Sequence, residues 1–177
     1  MTLKLTLFSP ETEDFVMEIL VDADTTFQQF HEWLLERCHY QDLRNHRFLL
    51  CDDELRVERQ ICQTDDGTTS VDEDLYLMDD CVLGDYLEEE RQTMAYLFDP
   101  AGHRFFLMEV SELIFGQPVD EPQLRRSHGK APLQLLEPEE DAVDTPATTG
   151  PAVDELMYGD EDFAADELDA EGFEIDE

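Results

Sequence analysis

No lysine or arginine occurs after Lys130 in this chain of 177 residues. Residues 137–177 hold 17 acids and no base, a charge of −17, and residues 1–136 hold the other 29 acids and all 11 bases, a charge of −18. The lack of any sizeable basic footprint excludes direct nucleic-acid binding by phosphate neutralisation. It also excludes attraction to anionic membranes. The sign suits a basic protein partner, or mimicry of nucleic acid towards a DNA-binding protein. For the body of the chain, negative charge is also a plain aid to solubility.

Other absences narrow the chemistry. The four cysteines, Cys38, Cys51, Cys62 and Cys81, are 13, 11 and 19 residues apart, so there is no C-x-x-C pair to support structural zinc. Reduced, buried thiols in a cytoplasmic protein are expected. The five histidines form no H-x-x-x-H pair, and no spacing calls for a metal or cofactor. Serine is scarce, G-x-S-x-G is missing, and there is no glycine-rich phosphate loop. Cys38 and His39 are neighbours on a helical stretch, where side chains point about 100° apart, so they make no catalytic dyad. The acid-rich segments around Gly67 and Gly172 do not complete a calcium loop. No apolar run is long enough to cross a bilayer, and "MTLKLTLFSP" is too short and too alternating for a signal peptide.

What is present is a core: 41% of residues are hydrophobic and 10% aromatic. "TLKLTLF", Thr2 to Phe8, alternates as a half-buried strand, and "FVMEILV", Phe15 to Val21, should pair with it as a hairpin. Thr25 with Gln28 offers a capping box for a helix on which Phe27, Phe30, Leu34 and Cys38 share a face, widened by Trp33 and Leu35. "RFLLC" reads as a third strand, and Asp52 to Asp74 as a long polar connection with a short ordered piece near Leu55 to Ile61. "LYLM" follows as a short strand, then a turn that holds Val82, Leu83, Tyr86 and Leu87 against the core. "TMAYLF", Thr93 to Phe98, is apolar on both faces and should be central, and "FFLMEVSELI" returns beside it. The expected fold is α+β: a mixed or antiparallel sheet with one main helix, in β-grasp-like order.

Beyond Ile114 the pattern weakens. Arg125, Arg126 and Lys130 form a local basic cluster. Residues 137–157, rich in Pro, Thr and acid, read as a disordered linker between a domain at 1–136 and an acidic-aromatic tail at 158–177. In that tail Tyr158, Phe163, Leu168 and Phe173 recur every five residues, with Ile175 beyond. Five steps make no single stripe on a helix and alternate faces on a strand. The spacing suits an extended segment that orders on a partner, its aromatics giving affinity and its acids steering.

"DTTFQQFHEWLLERCHYQDLRNHRFLLCDDE", Asp24 to Glu54, resembles the "TL-x-x-LH" helix and following strand of the plasmid open-reading-frame-three-like family, also described as insertion-element passenger or TnpR-like proteins. "YLFDPAGHRFFLMEV" resembles that family's "Y-x-Y-D-x-G-D-x-W" hairpin at Tyr96, Phe98 and Asp99, with Pro100 to Phe106 replacing the rest. The family's later "P-x-C…PPED-x-GG" element is reduced to Glu121-Pro122 and "GKAPLQ". The resemblance covers roughly residues 1–135 and is strongest to a Bacteroidetes-type branch that carries a similar acidic tail. It implies an α+β domain and brings no activity.

The expected function is that of a non-enzymatic interaction module. Its tail, through Tyr158, Phe163, Leu168, Phe173 and Ile175, binds a basic protein or the chain's own Arg125, Arg126 and Lys130. One alternative is a small-ligand or metal pocket between the helix and the Tyr96–Val110 hairpin, lined by His31, His46, Asp99 and His103. Another is a DNA-mimic inhibitor of a DNA-binding protein.

Overall fold

A computed structural model describes residues 1–67 and 74–136. The chain divides into two units, Met1–Pro138 and Glu139–Glu177, and the second lies outside the described residues. So do the linker and the tail anchors Tyr158, Phe163, Leu168, Phe173 and Ile175.

Strands β1 (Thr2–Phe8) and β2 (Val16–Asp22) form an antiparallel hairpin in which Leu3, Leu5 and Leu7 stand opposite Val21, Ile19 and Met17. The two-residue alternation sends all six to one face, where they are buried. Helix α1 (Phe27–Cys38, 12 residues) lies in the core with them, burying Phe27, Phe30, His31, Leu34 and Cys38. Then come β3 (Arg47–Cys51), β4 (Val57–Cys62), β5 (Tyr76–Leu77), a single 3-10 turn (Leu83–Asp85), β6 (Thr93–Asp99), β7 (Arg104–Ile114) and β8 (Gln123–His128).

The strands make one eight-stranded sheet in the order β5-β4-β3-β6-β7-β1-β2-β8. All neighbouring pairs are antiparallel except β4–β5, so the sheet is mixed. The hairpin–helix–strand order is as expected, and β6 is central. Its Met94, Tyr96 and Phe98 join the main core, and Ala95 is buried on the other face. Phe48 of β3 links helix to sheet: its ring lies 5.1 Å from Phe27, 6.0 Å from Phe30 and 4.8 Å from Tyr96.

Three expectations are corrected. The capping box is one residue later than Thr25–Gln28: the Thr26 hydroxyl accepts from Gln29 N–H, and the Gln29 side chain accepts from Thr26 N–H, both at 3.1 Å. The two Thr-x-x-Gln frames are equally good locally. The choice is tertiary, because Thr26 also bridges to Val82 while Phe27 N–H donates to Cys81 O. Trp33 does widen the stripe, half-buried and stacked on Phe30, but Leu35 is only partly covered, and His31 takes the buried place between Phe30 and Leu34. Finally, the weak pattern after Ile114 contains a whole strand. β8 is legible only through its pairing with β2, since five of its six side chains are exposed.

At the end of β8, Gly129 has φ +71°, and a Cβ there would lie 2.4 Å from the Asp14 carbonyl oxygen. Only glycine fits both the left-handed backbone and this contact with the β1–β2 turn.

The shifted cap is testable. Thr26→Ala should cost about 1 kcal/mol of stability in urea unfolding, a typical cap loss. Thr25→Ala, which removes no side-chain hydrogen bond among the described residues, should change stability by less than about 0.5 kcal/mol.

Candidate functional site

Tyr96 brings the site together. It projects from central β6 into the core, and burial raises its hydroxyl pKa far above the usual phenol value, so it stays protonated. His31 comes down from α1, with Nδ1 2.8 Å from the Tyr96 hydroxyl. His46, just before β3, stacks on the Tyr96 ring, and its ring centre is 4.8 Å from that of His31. Both imidazoles are 0% exposed.

The hydrogen bonds fix the protons. Leu43 N–H donates to His46 Nε2 at 3.0 Å, so that nitrogen carries the lone pair. His46 Nδ1–H then donates to Leu97 O at 3.1 Å. Tyr96, 3.4 Å from that protonated Nδ1, must give its own proton to His31 Nδ1. This leaves His31 with an Nε2–H that has no acceptor among the described residues.

Asp42 lies at the mouth, in the loop between α1 and β3. Its side chain is 39% exposed, and Oδ1 is 3.9 Å from His46 Nε2. Burial lowers both histidine pKa values, that of His31 to about 4 with the neighbouring His46 adding to the effect. Burial also pushes the Asp42 carboxyl up, but bonds from Gln63 and Arg44 N–H and the nearby histidines bring its pKa below the usual value. At neutral pH the site therefore holds two neutral imidazoles and one carboxylate. These three residues each offer a ligand-type atom, all within 4.8 Å of one another.

Of the four pocket residues read from the sequence, only His31 and His46 meet. Asp99 turns the other way: its carboxylate accepts from Gly102 N–H at 3.1 Å and is 3.7 Å from Arg104. His103 is exposed in the β6–β7 turn, with φ 53°. His39, beside Cys38, is the left-handed residue that ends α1 and is exposed. All four cysteines are buried free thiols.

Sequence reasoning missed Asp42, Tyr96 and Gln134. Asp42 is one acid in a polar loop, and Tyr96 sits in an apolar strand. Gln134 gave a signal in hindsight, as the polar centre of "PLQLL". It is buried while Leu133, Leu135 and Leu136 are exposed. Its amide exchanges bonds with Gln41 N–H at 2.7 Å and Gln41 O at 2.8 Å, and also reaches Phe98 O. Arg104, paired in two-point fashion with Glu11, holds Gln134 O at 2.8 Å. The segment after β8 is thus strapped to the residue preceding Asp42.

The expected basic cluster has a defined seat. Arg125 and Arg126 are exposed on β8, the outermost strand, with Lys130 two residues past its end. Among the described residues none of the three makes an ion pair, whereas Arg44, Arg47, Arg56 and Arg104 all do.

The family model for plasmid pRiA4b ORF-3-like proteins matches residues 1–137. The chain belongs to that family. A crystal structure of a protein of unknown function from Methanosarcina mazei Go1 shares the fold, with a TM-score of 0.53 and 19% identity over 71% of this chain and 68% of that one. Comparison with curated proteins finds no match. No helix among the described residues is long and apolar enough to cross a membrane.

The neutral state of His31 has a measurable consequence. Its folded pKa lies below the unfolded value of 6.5, so the unfolded chain takes up the proton first as pH falls. Stability should be complete above about pH 6.5 and decline through that window towards pH 4. His31→Gln should flatten the change in urea midpoint between pH 7 and pH 5, measured with a chelator present.

Proposed function

We propose that this family member is a non-enzymatic interaction module that works in the cytoplasm, and that its acidic-aromatic tail is the binding segment. The tail engages a basic protein partner, and the chain's own β8 edge is the competing intramolecular seat. The observation that carries this is the trio Arg125, Arg126 and Lys130, exposed and without ion pairs among the described residues of a chain with charge −35. An edge strand also offers unpaired backbone groups to an extended peptide. From residue 136 to Tyr158 there are 22 residues, and an extended chain gains up to about 3.3–3.6 Å per residue, so the tail has ample reach. The buried, reduced thiols suit a reducing compartment. The reading gives the tail of the Bacteroidetes-type branch more weight than the recombination hinted at by the TnpR-like label.

Amide spectra of the full chain and of residues 1–136 provide the test. Shifts at Leu124 to Lys130 on removing the tail, lost at about 0.5 M salt or in R125E/R126E, are the expected result for the intramolecular seat. Tail-dependent binding of an arginine-rich peptide probe supports the basic partner. Superimposable spectra together with no tail-dependent binding of the probe at low salt overturn the proposal.

A further inference from the structure

We propose that His31, Asp42 and His46 bind one divalent transition-metal ion of the zinc class. The donor set is chemically suited to it: two imidazoles and a carboxylate are borderline ligands that zinc accepts, with a fourth position left for water. A hard cation such as calcium would want more oxygens than this cleft offers.

The surroundings of the two rings make the same point. A ligating histidine normally donates its second ring N–H to a carbonyl, a carboxylate or a similar acceptor, which holds the ring. Here His46 is held through Nδ1 by Leu97 O at 3.1 Å, and His31 through Nδ1 by the Tyr96 hydroxyl at 2.8 Å. The other nitrogen of each ring is Nε2: that of His46 accepts from Leu43 N–H at 3.0 Å, and that of His31 is buried. His31 Nε2 is the one buried side-chain nitrogen or oxygen without a hydrogen-bond partner among the described residues. Such a group in an otherwise satisfied core asks for an explanation, and an unplaced ion is one of the standard ones.

The geometry needs a small adjustment. Donors about 2.0–2.1 Å from a tetrahedral ion stand about 3.4 Å apart, so the cluster, now spanning 4.8 Å, must contract by roughly 1.4 Å at its widest. Asp42 and Leu43 belong to the loop between α1 and β3, outside any helix or strand, and the contraction would fall there. The Leu43 N–H releases His46 Nε2 to the ion. His31 changes tautomer, its proton passing from Nε2 to Nδ1; the Tyr96 oxygen then accepts from that N–H while the Tyr96 hydroxyl turns its own proton away from His31. The side chain of Asp42, 39% exposed, is the point of entry. A bound ion would pin the α1–β3 loop to the helix. This site is separate from the β8 edge, and neither proposal depends on the other.

The test uses the full chain in metal-free buffer, titrated with zinc and, as a spectroscopic probe, with cobalt(II). One equivalent should shift the ring nitrogens of His31 and His46 in long-range proton–nitrogen spectra and leave His39, His103 and His128 unmoved. Cobalt should give the visible bands of a four-coordinate site, and the melting temperature should rise with free metal. Asp42→Asn, a change at an exposed position, should weaken binding by about tenfold or more with an unchanged far-UV CD spectrum. Shifts confined to surface histidines or to residues 137–177 would sink the proposal, as would wild-type affinity in Asp42→Asn.

Discussion

A single helix packed on one side of a wide sheet is the constraint from which the rest follows. Among the described residues α1 is the only α-helix, so its buried stripe must close the core formed by β1, β7, β6 and β3. Phe27, Phe30 and Leu34 do this, each contributing about 1.5–3 kcal/mol by burial. Their packing on Phe48 fixes where β3 runs, and therefore where its leading residue sits. His46 is drawn beneath the helix for that reason. His31 follows Phe30 on the same stripe and is buried with it. The polar cluster is a by-product of apolar packing, made tolerable by the carbonyl of Leu97 and the hydroxyl of Tyr96.

The fold was legible wherever periodicity was enforced locally. β1 has the bounds that its alternation predicts, because one face must be apolar, and β3 those of the short apolar run RFLLC. The central place of β6 was visible in its double-sided apolar sequence. β8 was not visible, because an edge strand with only Leu124 packed on the core needs no pattern; its strandness lies in the backbone bonds to β2. The site was half legible. His31 and His46 drew notice as histidines, but their meeting depends on a helix-to-strand connection that sequence spacing does not encode. Asp99 and His103 were misleading because a tight turn claims them: Asp99 is committed to Gly102 and Arg104, and His103 to a left-handed backbone.

Charge is organised as well as abundant. Some of the body's arginines are paired with its acids, Arg104 with Glu11, Arg47 with Asp66, Arg56 with Asp52 and Glu54, while Arg37 and Arg59 lie over aromatic rings. Only the Arg104 pair is well shielded from water at its cationic end, and it ties Gln134 as well, so it serves alignment more than bulk attraction. The exposed pairs contribute little to stability. Arg125 and Arg126 of β8 make no ion pair among the described residues, and salt should weaken whatever they attract.

Gln134 decides how the segment after β8 is fastened. The strap turns its polar residue inward and its three leucines outward, so hydrogen bonds hold it where apolar burial does not. Such a fastening lacks the cooperativity of a core. It forms a separate opening unit, whose amides should exchange with solvent well before those of β6. It can release in small steps, bond by bond, without the sheet beneath it losing its order. Because two of those bonds end on Gln41, loosening of the strap would first be felt one residue from Asp42.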